Sequence, residues 1–128
     1  MIRRTRSSSP FESSIGFSRA VRAGDRILVS GTAPVEPDGS STPGDAAAQT
    51  RRVLAVILAS IEELGGMATD VVRTRMFIAD PADVTAIGAV HGEIFGEIRP
   101  ASTMVVARLL RPEWRVEIEA EAIVASPA

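Results

Sequence analysis

Near its C-terminus the chain reads Val116-Glu117-Ile118-Glu119-Ala120-Glu121-Ala122. Side chains alternate across a strand, so this period of two gathers three carboxylates on one face and the apolar residues on the other. Carboxylates in that arrangement can take and return protons, position a water, or be neutralised by guanidinium groups. Guanidinium is the cation available, because all 14 basic residues are arginine. There is one histidine, His91, and one tryptophan, Trp114, with no cysteine and no tyrosine.

The missing residue types exclude whole chemistries. Without cysteine there is no disulfide, thiolate metal site or thiol nucleophile. Without lysine there is no Schiff base on a side-chain amine and no Walker loop. One histidine leaves no His-rich metal site, although an oxygen-only site for a hard cation stays open. No G-x-S-x-G elbow supports a serine triad through His91. The net charge of −2 argues against a general nucleic-acid binder. The run Arg3, Arg4, Arg6 reads as a charged strand edge that resists aggregation. No apolar run approaches the ~20 residues of a membrane span, and no apolar stretch follows the N-terminal arginines, so the expectation is a cytoplasmic protein.

The elements that must position these residues follow from periodicity. A short strand is expected near Arg3 to Ser7, and a hairpin of Phe17–Val21 and Arg26–Ser30 around Ala23-Gly24-Asp25. Thr32 to Gly44, rich in proline, glycine and serine, is a long loop. Asp45 can cap a helix whose Val53, Leu54, Ile57, Leu58, Ile61 and Leu64 share one face, and Gly65-Gly66 ends it. Val71–Ile78 reads as a strand. Asp80, Pro81 and Asp83 start a second helix with Val84, Ile87, His91 and Ile94 on one stripe. His91 is expected to be a satisfied helix histidine. Strands Thr103–Leu109 and Arg115–Val124 follow, with Trp114 packing at a strand start and Arg108 pairing with a neighbouring glutamate.

This order suits one domain over residues 1–128, with helices on one face of a mixed sheet. The strand at Thr103–Leu109 is apolar on both faces and must be covered twice. With only two helices available, the second cover is a partner subunit. The carboxylates then line a wet cleft between subunits.

The blocks Ile15-Gly16-Phe17-Ser18, Val29-Ser30-Gly31, Gln49-Thr50-Arg51, Asp70-Val71-Val72-Arg73-Thr74, Val106-Ala107-Arg108-Leu109 and Val116-Glu117-Ile118-Glu119-Ala120 resemble, in order and spacing, the Rid family of reactive imine/enamine deaminases, also called YjgF-like. The resemblance implies a chorismate-mutase-like α+β subunit, with a mixed six-stranded sheet and two helices on one face, in a barrel-forming homotrimer with inter-subunit clefts. It implies a small-molecule ligand and neither metal nor cofactor. It assigns Glu117 to positioning the attacking water, and the backbone at Gly31, preceded by Ser30, to holding the substrate. Phe17 stands where the family has a tyrosine, and Ala101 where it has the arginine that grips the substrate carboxylate. Arg99 lies two residues earlier, and Thr103 would help shape the pocket. The expected function is a Rid-like hydrolase or deaminase acting on an imine, enamine or related metabolite, with altered substrate recognition. The alternative is a non-catalytic small-molecule-binding trimer. A ribonuclease or translation inhibitor is disfavoured by the charge and by the absence of a histidine in a known acid–base motif.

Overall fold

The computed structural model describes residues 1–5, 9 and 11–125. Six strands and two helices appear in the order β1 (Ile2–Thr5), β2 (Ala20–Ala23), β3 (Arg26–Thr32), α1 (Ala46–Glu63), β4 (Val71–Ile78), α2 (Val84–Phe95), β5 (Ala101–Val106) and β6 (Val116–Ile123). The strands form one sheet in the order β1-β2-β3-β6-β4-β5. Only the β4–β5 pair is parallel, which suits a connection made through α2.

Local chemistry accounts for the helix starts. The Asp45 carboxylate accepts the Ala48 N–H at 2.9 Å and caps α1, and Asp80 accepts the Ala82 N–H at 2.8 Å, capping the 3-10 turn Pro81–Asp83 that leads into α2. Gly65 (φ +87°) turns the chain out of α1. The helical face Val53, Leu54, Ile57 and Ile61 is fully buried and packs on β3 and β6. These strands contribute Ile27, Val29, Val116, Ile118, Ala120 and Ala122 to the same core. The three β6 glutamates therefore point to the opposite sheet face.

Several expected boundaries move. The second strand begins at Ala20, three residues after Phe17, because Glu12–Gly16 winds into a π-helical turn closed by the Phe17 N–H on the Glu12 carbonyl at 3.0 Å. β5 stops at Val106 rather than Leu109. It sits at the sheet edge, and the chain must leave it to cross the end of β4 and reach β6. Within one chain β5 is uncovered: Val105 is 43% and Val106 58% exposed. The buried stripe of α2 is Ile87, Val90 and Phe95, while Val84 faces outward. β1 occupies Ile2–Thr5; Arg6 and Ser7, which the sequence places in the first strand, lie outside the described residues. Among the described residues no helix is long and apolar enough to cross a membrane.

One buried amide ties the long loop down. Gln49 on α1 donates to the carbonyls of Thr42 (3.2 Å) and Glu113 (2.9 Å) and accepts the Arg115 N–H (2.8 Å). It thereby joins the loop before α1 to the segment that starts β6. Trp114 adds a second tie, its indole N–H on the Ser41 hydroxyl at 3.0 Å. Gln49→Leu keeps the volume but leaves these backbone groups without partners. A loss of about 3 kcal/mol or more is expected, at a cost of roughly 1–3 kcal/mol for each of the three stranded groups. Urea unfolding of the two proteins checks this.

Candidate functional site

The register of β6 decides what each glutamate meets. On the β4 side Arg73 stands opposite Glu121, Arg75 opposite Glu119, and Phe77 opposite Glu117. Arg75 donates to Glu119 at 2.8 Å and lies 3.9 Å from Glu121. Glu121 also meets Arg26 of β3 at 3.3 Å. Glu117 has an aromatic ring where the other two have guanidinium groups. It makes no hydrogen bond or ion pair with the described residues.

On the β3 side the ladder is broken. Val29 pairs with Ala120 and Thr32 with Ile118, so Ser30 and Gly31 together face one residue. This is a β-bulge, a device that re-aims nearby side chains. The Glu117 carboxylate lies over the bulge: a Cβ built on Gly31 would be 2.6 Å from Glu117 Oε2. Glycine is required there for close approach, since its φ is not in the left-handed range.

Arg19, just before β2, supports the bulge. Its Nη2 donates to the Gly31 carbonyl, and its Cζ lies 6.0 Å from the Phe17 ring centroid. Its Nε is buried with no partner. Burial lowers the Arg19 pKa, opposed by the charges of Glu12 and Glu117. Burial raises the Glu117 pKa above the ordinary glutamate range; Arg19 pulls it down and Glu119 pushes it up. The result is a half-buried carboxyl group whose ionised form is disfavoured by burial, with a cation nearby.

Glu117, Glu119, Gly31, Phe77, Arg108 and Leu109 line one open cleft of about 310 Å³. Phe17 and Ser30 line a neighbouring depression of about 670 Å³ on the other side of the bulge. The Ser30 hydroxyl donates to the Ser18 carbonyl at 2.7 Å, and its N–H to that of Arg19 at 3.0 Å, so Ser30 holds the hairpin. Within the chain the remaining candidates stay apart from Glu117. Ala101 and Thr103 are exposed on β5, level with Arg73 and Arg75. They are thus four and two residues along from Phe77, roughly 13 and 7 Å at the rise of a strand. Arg99 is exposed, with φ +55°, and lies outside this cleft.

Two expectations about side chains resolve differently. His91 is a satisfied helix histidine: its Nε2 lies 2.9 Å from the Thr74 hydroxyl, which is in turn 2.8 Å from the Ser102 hydroxyl. Burial lowers its pKa. Arg108, expected to pair with a glutamate, forms no ion pair with the described residues: Glu119 is held by Arg75, and Glu117, which lines the same cleft, is not paired with it. Arg19 was not singled out from the sequence. The signal for it is only visible once the hairpin is folded, when its guanidinium reaches the Gly31 carbonyl. Among the described residues no group of three His, Asp or Glu side chains is placed to hold a metal ion.

A mixed six-stranded sheet with two helices on one face, and a lone glutamate over a glycine bulge, defines a class of small α+β proteins with a cleft on the open face of the sheet. Residues 7–124 match the family model described as endoribonuclease L-PSP, and the chain belongs to that family, the YjgF/Rid family. It is similar to a solved YjgF-family structure from Mycobacterium tuberculosis, with TM-score 0.87 and 42% identity, covering 97% of this chain and 100% of that one. It is 38% identical over 122 residues to a protein of Streptomyces coelicolor, covering 94% of this chain and 91% of the relative. It is 39% identical over 100 residues to the 3-aminoacrylate deaminase RutC of Acinetobacter baylyi, covering 77% of this chain and 79% of that protein.

Replacing Gly31 by alanine is expected to leave the fold intact, since the clashing atom is the end of a flexible side chain. The carboxylate must swing away into solvent, and its pKa should fall toward that of free glutamate. Arg19→Met should do the reverse, raising the Glu117 pKa, because a compensating charge is removed. Titration of the Glu117 side-chain carbon by NMR checks both directions.

Proposed function

We propose that the chain is a cofactor-independent hydrolase of the Rid type, releasing ammonia from a small imine, enamine or related adduct at Glu117. The observation that carries this reading is the selective isolation of Glu117. Of three glutamates on one strand face, it alone forms no ion pair with the described residues, and burial raises its pKa. A carboxylate with a raised pKa is a better proton acceptor near neutral pH than a free one. The similarity to a relative named as a 3-aminoacrylate deaminase supports the same class of chemistry.

The reaction needs no more than this site can supply. As water adds to the imine carbon, a C–O bond forms and Glu117 accepts one water proton. That proton passes to nitrogen to give a carbinolamine, and Glu117 then takes the new hydroxyl's proton and delivers it to nitrogen as the C=O bond forms and the C–N bond breaks. Ammonia leaves, and a carbonyl compound remains. Gly31 brings the backbone close to the substrate, and Phe77 provides an apolar wall. The assembly in this reading is a homotrimer, in which a neighbouring copy covers the exposed strand β5 and brings its Ala101 and Thr103 toward the cleft.

The reading favours hydrolysis over RNA cleavage. The single histidine is engaged with Thr74 on the helix side of the sheet, away from the carboxylates. Of the N-terminal arginines, Arg3 is held by the Leu64 carbonyl at 3.0 Å.

Glu117→Gln should lower ammonia release from imines generated in situ from amino acids by at least about a hundredfold, within the usual span for a general base. Activity of the unsubstituted protein should fall as pH drops and Glu117 becomes protonated. The midpoint should lie above the ordinary glutamate value, set by burial and Glu119 against Arg19, with Arg108 also facing the cleft. Binding of imine analogues without any ammonia release would sink the hydrolase and leave the non-catalytic binding trimer.

A further inference from the structure

We propose that Ser102, on the edge strand β5, is a nucleophilic serine activated by His91 through Thr74, and that it accepts an acyl group from an activated ester or thioester. The three residues lie on the helix face of the sheet, apart from the Glu117 cleft. The proposal is independent of the chemistry assigned to that glutamate.

Three elements bring the group together. Thr74 is the register partner of Ser102 in the parallel β4–β5 pair, and the two hydroxyls meet at 2.8 Å. Thr74 is 1% exposed, so this is the face that the helices cover. From α2, His91 sets its Nε2 2.9 Å from the Thr74 hydroxyl. Phe95, one turn further on, packs against the imidazole with ring centroids 4.7 Å apart. Ala101 and Thr103, on either side of Ser102, alternate to the open face of the sheet.

Hydrogen-bond valence gives the line its direction. In the tautomer with its proton on Nδ1, His91 offers an unprotonated Nε2. A threonine hydroxyl has one proton to give. Thr74 gives it to that nitrogen, and its oxygen accepts the proton of Ser102. Burial lowers the His91 pKa, with no charged group contributing, so the ring is neutral near pH 7 and able to take a proton. The middle of the line is sealed from water, while Ser102 at its outer end is exposed. One turn before His91 stands Gly88, where an added Cβ would meet nothing within 4 Å. The helix face beside the imidazole is therefore open to an incoming group.

The step balances on these groups and the acyl donor. Ser102 Oγ bonds to the acyl carbon as its proton passes to Thr74 Oγ and the Thr74 proton passes to His91 Nε2. The leaving group departs with the electron pair of the bond it loses. His91 holds the proton as imidazolium and then releases it to water. All three side chains are uncharged before the step. A cluster without a fixed cation suits an acyl carbon rather than a phosphoryl group, whose charged oxygens call for guanidinium or a metal ion.

The composition keeps the test clean: with no lysine, cysteine or tyrosine, few other nucleophiles compete for an activated ester. The full chain is treated with p-nitrophenyl acetate, and acetyl groups are located by peptide mass spectrometry. Ser102 should be acetylated about a hundredfold faster than Ser13 and Ser14, which are also exposed; that ratio is the low end of what a general base contributes. The rate should fall as pH drops and His91 becomes protonated, with a midpoint below the ordinary histidine value. His91→Gln, which can hydrogen-bond but not take the proton, should remove the advantage, and so should Thr74→Val. Thr74→Ser, which keeps the hydroxyl, should retain most of it. Circular dichroism confirms that the variants fold. Acetylation of Ser102 at the rate of Ser13 and Ser14, a rate unchanged in His91→Gln, or a rate without the pH inflection overturns the proposal.

Discussion

The pairing of β6 with β4 is the constraint on which the site depends. Arg75 opposite Glu119 and Phe77 opposite Glu117 are consequences of a single register. A slip of one residue would turn all three glutamates into the core, which burial of Ile118, Ala120 and Ala122 forbids. A slip of two residues would keep the faces correct and place Arg75 opposite Glu117. That alternative would neutralise the carboxylate that the observed register leaves alone. Core packing excludes the first error; the bulge on the other flank of β6 helps exclude the second, because only a glycine at position 31 admits the Glu117 carboxylate.

Around that carboxylate, two effects compete. Loss of water favours the protonated form, and the nearby Arg19 charge favours the ionised one. Burial is the larger effect, opposed by a guanidinium that is itself half-buried. Arg19 has its own imbalance, a buried Nε with no partner. An unsatisfied donor of this kind costs free energy. The cost is consistent with a functional site, where local optimisation yields to the placement of reactive groups.

Much of the scaffold was legible because its signals are local. Asp45 caps the first helix as its type predicts and Gly65 ends it, while Asp80 caps the short 3-10 turn that leads into the second. The alternation of β6 correctly separated its glutamates from its core residues. The errors fall where distant parts of the chain decide. Phe17 reads as strand, yet a π-helical turn delays β2 to Ala20. Residues 107–109 read as strand, yet the crossing over β4 pulls them away from the sheet. Arg108 was expected to meet a glutamate, yet it forms no ion pair with the described residues, and Glu119 is held by Arg75 of β4.

The sequence by itself determined the kinds of chemistry available: carboxylates and guanidinium groups, without thiol or amine, and three carboxylates on one strand face. Composition and a period of two are enough for that, since both are properties of the chain alone. Only the tertiary structure decided which glutamate is left without a partner, which arginine supports it and which one faces the cleft. Those outcomes depend on residues brought from β3, β4 and the β5–β6 crossing. No local spacing encodes them, because a charge is isolated or paired by neighbours that are remote along the chain.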